Sequence, residues 1–480
     1  MSDPPVIVWF RQDLRLDDNP ALVAAVQQGA VLPVYILDDE QSGNWRNGAA
    51  GRWWLHRSLQ QLGQQLEGQL RFFSGNAGDI LQHLVRAVGA QRVFWNRCYE
   101  PWRTARDRRI KEDLNRSGIE VKSFNASLLW EPWEILKADG TPYKVFTPYY
   151  RKGCLGGNTP RPPVESRPLQ RFYSSANISG SCSLDEFGLL PSAGWYKKLE
   201  QYWQPGEAGA RQRLNEFVAD GLDGYRQARD FPALEQTSRL SPHLHFGEIS
   251  PHQIRQTLST TAATEKVPHD DLDHFLSELA WREFSYYQLY HTPHLPDHPL
   301  REEFERFSWV HDARGLKLWQ QGMTGYPLVD AGMRELWETG FMHNRVRMVV
   351  GSFLVKNQLL PWQQGENWFW DCLVDADLAS NSASWQWVAG CGADAAPYFR
   401  IFNPVLQGQK FDPHGDYVRR YVPEIAELPD KYLHAPWTAP AAVLERLGIV
   451  LGRDYPLPLV ELKWSRQRAL ATYQQMRHSG

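Results

Sequence analysis

The chain has 480 residues, of which 42% are hydrophobic and 22% are charged, and its formal net charge is −3. This composition is ordinary for a globular protein, and no apolar run approaches the roughly 18 residues that a membrane-spanning helix needs. The near-neutral charge argues against a nucleic-acid partner without excluding one, because a local basic patch is enough to hold phosphates. The length predicts two or three domains.

Cysteine usage and the N-terminus both bear on the cellular compartment. Five cysteines are scattered without a CxxC spacing, which favours reduced thiols over disulfides or a zinc site. Residues 1–5 lack the basic and small-residue pattern of a signal peptide, so we expect a cytoplasmic protein. The 21 tryptophans serve either as core packing or as redox-active rings and stacking surfaces for bases.

The first 130 or so residues alternate short β-type runs with helical patterns. Predicted strands are Val6–Phe10, Val31–Leu37, Leu70–Phe73, Arg92–Trp95 and Ile119–Phe124, and predicted helices are Ala21–Gln28, Trp53–Leu66, Ile80–Val88 and Ala105–Ser117. This alternation predicts a doubly wound parallel sheet. Asn19 and Pro20 form a typical helix start, an N-cap followed by proline. No GxGxxG follows the first strand, so a standard dinucleotide site is not predicted.

A change of composition divides the chain. Residues 153–205 are rich in glycine, proline and serine, which indicates a long surface connector. Beyond it helical spacing dominates, in the patterns Glu207–Ala219, Ile254–Ser259, Leu272–Tyr290, Tyr326–Glu338 and Arg345–Lys356. The prediction is an α/β N-terminal domain over 1–132, a linker over 133–205 and an all-α C-terminal domain over 206–480.

Two segments of the helical half each have two interpretations. Residues 237–242, Thr-Ser-Arg-Leu-Ser-Pro, are either a helix cap with a surface arginine or a set of donors for a pyrophosphate. Glu278, Trp281 and Arg282 share one helix face. They form either an ion pair beside a core ring or a site for a planar polar ligand.

The segment Asp375–Trp387 joins two acids, an asparagine and two tryptophans with small residues that let a large flat group approach closely. Asn344, Arg347 and Met348 also share a helix face, which an ordinary amphipathic helix explains as well. The acids lack the further ligands that a hard cation needs, so no metal is predicted. No nucleophile elbow, P-loop or HExxH motif occurs in the sequence.

Several motifs, in order along nearly the whole chain, resemble those of the photolyase/cryptochrome family. They are Trp9–Leu16, Tyr143–Tyr150, Thr237–Pro242, Thr324–Pro327 and Asp375–Pro404. The resemblance implies an antenna domain with a doubly wound sheet, a long linker and a helical domain that binds FAD. It also implies a light-driven repair enzyme, in which reduced FAD passes an electron to a cyclobutane pyrimidine dimer that has left the duplex of UV-damaged DNA.

The resemblance also assigns the cofactor residues. Those expected to bind FAD are Tyr225, Thr237, Ser238, Arg239, Leu240, Ser241, Phe275, Arg282, Arg347, Asp375, Asp377 and Asn381. Among them, Arg347 and Asp375 should form an ion pair beside the flavin. Asn381 should face flavin N5 and stabilise the reduced cofactor.

Further matches imply the electron-transfer and substrate residues. Trp385, Trp362 and Trp309 match a chain from flavin to surface, although their periodicity alone predicts core positions. Together with Asn381 and Glu278 they are the expected catalytic residues. Glu278, Trp281, Asn344, Met348 and Trp387 match the lesion pocket, and Arg229, Arg345 and Gln407 match contacts to the DNA strand.

Single positions separate the branches of the family. Repair enzymes for (6-4) photoproducts have histidine where this chain has Asn344 and Met348, and plant-type cryptochromes usually have aspartate at Asn381 and tyrosine at Trp387. These residues favour a dimer-repairing, class III-like enzyme close to plant cryptochromes. A blue-light photoreceptor is the alternative, and a flavoprotein with hydride chemistry is disfavoured because no nicotinamide site is visible.

Two further expectations concern the second chromophore and the oligomeric state. Folate-binding members of the family often use an Asn-Glu pair where this chain has Trp102 and Arg103. We expect a methenyltetrahydrofolate bound in another way, with a deazaflavin and an empty site left open. The resemblance implies a monomer without an obligate protein partner.

Overall fold

A computed structural model describes residues 4–166, 171–173, 178–264, 267–395, 397–398 and 400–478. The chain divides into two compact units. The first comprises Met1–Asp223, Ser238–Pro293 and Val374–Leu378, and the second comprises Gly224–Thr237, His294–Leu373 and Ala379–Gly480. Among the described residues, no helix is both long enough and apolar enough to cross a membrane.

A five-stranded sheet lies in the first unit. Its strands are β1 (Val6–Phe10), β2 (Val31–Leu37), β3 (Arg71–Ser74), β4 (Arg92–Asn96) and β5 (Glu120–Phe124). All four strand pairs are parallel, and the order is β3-β2-β1-β4-β5. Every residue of β1 and β2 is buried, which explains their apolar runs without alternation. The predicted doubly wound sheet is confirmed, with its order reversing between β1 and β4.

Helices account for most of the remaining secondary structure of the described residues. Along the sequence they are α1 (Pro20–Val26), α2 (Ala49–Gln65), α3 (Ala77–Val88), α4 (Pro101–Arg116), α5 (Phe146–Pro148), α6 (Glu207–Glu216), α7 (Tyr225–Ala228), α8 (Ser241–His245), α9 (Pro251–Thr264) and α10 (His269–His291). The predicted cap of α1 is confirmed, since the Asn19 side chain accepts a hydrogen bond from the Leu22 N–H. One face of the sheet packs on α3 and α4 through Trp9, Trp95 and Leu81.

The second unit is helical in its described part, as expected. Its helices are α7 and, further on, α11 (Ala313–Gln320), α12 (Pro327–Thr339), α13 (Asn344–Ser352), α14 (Trp362–Cys372), α15 (Leu378–Ala389, whose first residue is in the first unit), α16 (Pro404–Phe411), α17 (Asp416–Tyr421), α18 (Asp430–Leu433), α19 (Ala441–Arg446) and α20 (Leu462–His478). The predicted helix Arg345–Lys356 consists of α13 and a π-helical turn, Phe353–Asn357.

Candidate active site

The carboxylate of Asp377 is buried in the first unit between two donors. Its Oδ2 accepts hydrogen bonds from the Tyr286 hydroxyl and from His245 Nδ1, the latter at 3.1 Å. Burial alone would raise the pKa of this carboxyl, but the hydrogen bonds and the charges of His245 and Arg282 hold its pKa below the ordinary value. Asp377 is therefore an ionised carboxylate, suited to face donor groups of a ligand.

The segment Ser238–Ser241 forms a strained turn before α8. The helix begins at Ser241, and the residue at its cap position is Leu240, which makes no side-chain cap. The capping interpretation is therefore wrong. The Ser241 hydroxyl instead donates to Asp375 Oδ2 at 2.6 Å. Arg239 has a φ of +51°, in the left-handed region. This conformation is uncommon for a residue other than glycine and recurs at binding sites.

Two further predicted cofactor residues lie on α10. The Arg282 guanidinium donates to the Ser127 carbonyl at 2.8 Å and lies 4.8 Å from the centre of the Tyr286 ring. Phe275 is buried, with its ring 4.5 Å from that of Phe217. Arg282 is thus held by a backbone acceptor and an aromatic face while its charge acts on the nearby Asp377 carboxylate.

The predicted lesion residues of α10 are half-buried. Glu278 and Trp281 are both partly accessible on this helix. The Trp281 indole stacks on the Phe146 ring, with centroids 3.8 Å apart and planes 9° apart. A ring that is packed on one side and still partly accessible is a suitable surface for a base.

Asn381 is fixed by a hydrogen bond in the second unit. Its Nδ2 donates to the Glu366 carbonyl oxygen at 3.0 Å, and the neighbouring Ser382 hydroxyl donates to Glu366 Oε1 at 2.5 Å. Burial is the main cause that raises the pKa of the Glu366 carboxyl to about 8. At neutral pH this carboxyl is mostly protonated, so α14 contributes an uncharged side chain beside Ser382.

The Glu366→Gln variant tests this protonation state. A group whose pKa is raised in the folded protein stabilises it fully below the unfolded pKa and loses that contribution as pH rises through the folded pKa. The wild type should therefore lose stability relative to the glutamine variant between pH values of about 5 and 8, and the loss from pH 5 to pH 7 should be about 3 kcal/mol. Chemical denaturation of both proteins across this range measures the difference. A constant difference would contradict the assignment.

The three tryptophans of the predicted electron-transfer chain lie in the second unit. Trp385 and Trp362 are buried, whereas Trp309 is partly accessible. Trp385 on α15 makes an edge contact with Phe369 at 5.0 Å, and Trp309 lies 4.4 Å from Phe307. A route for electrons to the surface requires buried rings at one end and an accessible ring at the other, and these three tryptophans meet that requirement. The order of electron transfer stays a prediction.

The arginines of α13 have different partners. Arg347 donates through Nε to the Met342 carbonyl at 2.7 Å. Its predicted partner, Asp375, is in the first unit, and that ion pair stays a prediction. Arg345 pairs with Asp230 at 2.5 Å.

The remaining predicted site residues all lie in the second unit. Tyr225 is buried, Arg229 lies 5.5 Å from its ring, Thr237, Met348 and Trp387 are half-buried, and Asn344 is exposed. Gln407 on α16 has a buried Oε1 without a hydrogen-bond partner in the described part of the chain. An amide oxygen of this kind can accept a hydrogen bond from a ligand.

Trp102 and Arg103 lie at the start of α4, directly after β4, which is one of the two strands between which the sheet order reverses. Arg103 lies 4.8 Å from the Trp102 ring and 3.4 Å from the Glu100 carboxylate. In doubly wound sheets the point where the strand order reverses is the usual ligand site. Several buried polar atoms around it lack hydrogen-bond partners among the described residues, namely Trp9 Nε1, Arg11 Nε, Asp38 Oδ1, Glu100 Oε2 and Arg103 Nε. This lining fits a small polar ligand.

Sequence reasoning missed the residues that support the predicted ones. His245 and Tyr286 are 132 and 91 positions from Asp377, and no local spacing links them. Glu366 is 16 positions from Ser382, and only its place on a tryptophan-rich helix could have drawn attention. In the described residues, no cluster of His, Cys, Asp and Glu is arranged to hold a metal ion.

Comparisons with known proteins cover both parts of the chain. Residues 6–166 match the family model described as DNA photolyase, and residues 275–475 match the one described as the FAD binding domain of DNA photolyase. A deoxyribodipyrimidine photo-lyase of Agrobacterium fabrum is 48% identical, over 98% of each chain. Cryptochrome-2 of Arabidopsis thaliana is 40% identical, over 97% of this chain and 78% of the relative. The crystal structure of a class III photolyase from Agrobacterium tumefaciens has a TM-score of 0.94 at 46% identity, covering 100% of this chain and 98% of that one.

Proposed function

The chain belongs to the photolyase/cryptochrome family, and we propose that it is a light-dependent lyase that splits cyclobutane pyrimidine dimers in UV-damaged DNA. The observation that carries this proposal is the full-length match to a deoxyribodipyrimidine photo-lyase. The photoreceptor alternative is supported by the matches to plant cryptochromes, and it differs in one testable respect, since it requires light-driven flavin chemistry without repair.

FAD is the cofactor of this chain, and the residues present fit it. In the first unit, the ionised Asp377 and the left-handed backbone at Arg239 are features suited to a polar ligand. In the second unit, the amide of Asn381 is fixed by its hydrogen bond to the Glu366 carbonyl. When bound and reduced, FAD supplies one electron to the dimer under light and recovers it after the cyclobutane ring opens. In our proposal Asn381 accepts a hydrogen bond from the flavin through Oδ1, because its Nδ2 already donates to the Glu366 carbonyl.

The other residue roles follow the family resemblance. The proposed FAD residues also include Tyr225, Thr237, Ser238, Leu240, Ser241, Phe275, Arg282, Arg347 and Asp375. The proposed DNA contacts are Arg229, Arg345 and Gln407, and the lesion residues include Asn344, Met348 and Trp387. Extruding the dimer from the duplex costs less than extruding an intact pair, because the damaged pair is poorly stacked.

The repair assay tests the function directly. Purified protein with bound FAD is reduced, mixed with an oligonucleotide containing one thymine dimer, and exposed to blue light. We expect intact thymines to reappear only in the light. If FAD is bound and photoreduced but the dimer persists, the photoreceptor alternative replaces the lyase.

Glu278→Ala and Trp281→Ala test the lesion pocket. Loss of a stacking ring, or of a charge-assisted hydrogen bond to a base, should weaken binding of the dimer-containing oligonucleotide about tenfold. Affinity is measured in the dark, so that chemistry does not contribute. Undamaged DNA is the control ligand. Wild-type affinity in both variants would refute the assignment.

Trp309→Phe tests the electron-transfer role. Phenylalanine is hard to oxidise, so the variant should photoreduce oxidised FAD more slowly while repairing dimers at the wild-type rate once it has been reduced chemically. Absorbance of the flavin under continuous light follows the first process, and the repair assay follows the second. Equal loss of both would contradict a separate relay.

Four further proposals concern the domain bounds, the second chromophore, the oligomeric state and the cellular location. We propose an antenna domain over 1–132, a linker over 133–205 and the FAD-binding domain over 206–480, with methenyltetrahydrofolate as the second chromophore. Its binding differs from the Asn-Glu mode, since Trp102 and Arg103 stand at those positions. Extraction of the purified protein followed by mass spectrometry identifies the chromophore. We further propose a monomeric, cytoplasmic enzyme.

A further inference from the structure

A column of three aromatic rings leads from the interior of the first unit to Trp281. The Trp281 and Phe146 rings are 3.8 Å apart and nearly parallel, at 9°. The Phe146 ring also contacts the Tyr150 ring, with centroids 5.8 Å apart and planes 20° apart. Phe146 and Tyr150 are buried, whereas Trp281 is half-buried. The indole is therefore the accessible end of the column.

A fourth ring, that of Phe284, makes edge contacts with two rings of the column. Phe284, which is fully buried, meets Phe146 at 6.0 Å and 66° and meets Trp281 at 5.9 Å and 72°. Parallel contact on one side and an edge contact on another together restrict rotation of the indole. A ring that is already held in its binding orientation loses less conformational entropy when a ligand arrives.

Phe146 is itself anchored by the chain that carries it. It opens the short helix α5, which continues directly into a π-helical turn, Tyr149–Cys154. Tyr149 in that turn packs on Phe284 at 5.0 Å, and the whole group belongs to one core cluster. The position of the Phe146 ring is thus set by buried packing, independently of any ligand.

We propose that Phe146 is a positioning residue for lesion recognition. It covers the inner face of Trp281 and holds the indole in the plane in which its accessible part stacks on the pyrimidine dimer, without touching DNA itself. This inference rests on the proposed function, because it assumes that Trp281 contacts the lesion. In this proposal Phe146, which lies beneath the lesion pocket, helps the enzyme to distinguish damaged from intact DNA.

Phe146→Leu tests the role in the FAD-bound enzyme. Leucine fills most of the volume but offers no flat face, so the affinity measured in the dark for an oligonucleotide with one thymine dimer should fall about fivefold. The affinity for undamaged DNA should not change.

Phe146→Tyr keeps the stack and should retain wild-type affinity. Ile135→Ala is the matched control, because it removes buried apolar volume from the same cluster and leaves the aromatic rings of that cluster in place; it should lower thermal stability and leave dimer affinity unchanged. Phe146→Met replaces the leucine variant if that fails to fold.

A double variant decides between positioning and general packing. If Phe146 acts through Trp281, adding Phe146→Leu to Trp281→Ala produces no further loss of dimer affinity. Independent losses in the double variant, or wild-type affinity in Phe146→Leu while Trp281→Ala binds poorly, would overturn the inference and leave the proposed function standing. Wild-type affinity in Trp281→Ala would instead remove the lesion site on which the inference rests.

Discussion

Asp377→Asn should lower the free energy of unfolding by about 3 kcal/mol at neutral pH and release bound FAD. The carboxylate is buried and holds its charge through the Tyr286 hydroxyl, His245 Nδ1 and the nearby Arg282. Asparagine has nearly the same shape, but it removes the charge that these groups are arranged around. Denaturant titration of the purified protein measures the stability, and flavin absorbance after gel filtration measures FAD retention.

The pH dependence separates charge from packing. A carboxyl whose pKa is depressed by folding stabilises the folded protein above its unfolded pKa, about 4, and loses that contribution as pH falls through the folded value. The difference between wild type and Asp377→Asn should therefore shrink below a pH of about 4. Tyr286→Phe is the control, since it removes one hydrogen bond and keeps the charge, and should cost about half as much. An equal difference at all pH values would show that altered packing causes the loss.

The sequence was sufficient to predict the sheet because its signals are local. β1 and β2 begin and end at the predicted residues, since each is an uninterrupted apolar run bounded by polar or turn residues. The start of α1 was also predictable, from Asn19 and the proline after it. The predicted helix boundaries were wrong where an α-helix continues into a π-helical turn. Every residue of the π-helical turn Phe353–Asn357 is buried, so no alternation of polar and apolar residues marks the change in the sequence.

The candidate site was only partly predictable, for a physical reason. Its principal residues, such as Asp377 and Asn381, belong to a motif that can be recognised by resemblance. Their supporting partners are brought in by the fold: Tyr286 and His245 for Asp377, and the Glu366 carbonyl for Asn381. A pKa shift depends on burial and on such distant neighbours, so neither the ionised Asp377 nor the protonated carboxyl of α14 could be inferred from spacing.

Gly365→Ala should displace Trp385 and cost about 2 kcal/mol of stability. A methyl group at position 365 on α14 would lie 2.1 Å from Cη2 of the Trp385 ring, far inside van der Waals contact. The ring cannot simply move aside, because it is buried against Phe369 and Trp319. With Trp385 as the proposed first electron donor, the variant should also photoreduce FAD more slowly. Thermal unfolding measures the first effect and flavin absorbance under blue light the second.

Gly351→Ala provides the matched control, since Gly351 also lies in a helix beside the same ring. There a methyl group would lie 3.6 Å from Cζ3 of Trp385, an ordinary contact, and 3.2 Å from a methyl carbon of Val388, which has to shift slightly. Both substitutions gain helix propensity equally, up to about 1 kcal/mol, so the difference between them isolates the clash with the indole. If Gly365→Ala and Gly351→Ala photoreduced FAD at the same rate, either Trp385 would not be the donor or its exact placement would not limit transfer. Repair by the chemically reduced Gly365→Ala variant distinguishes these outcomes from general damage, because a relay defect leaves repair intact and a misfolded site does not.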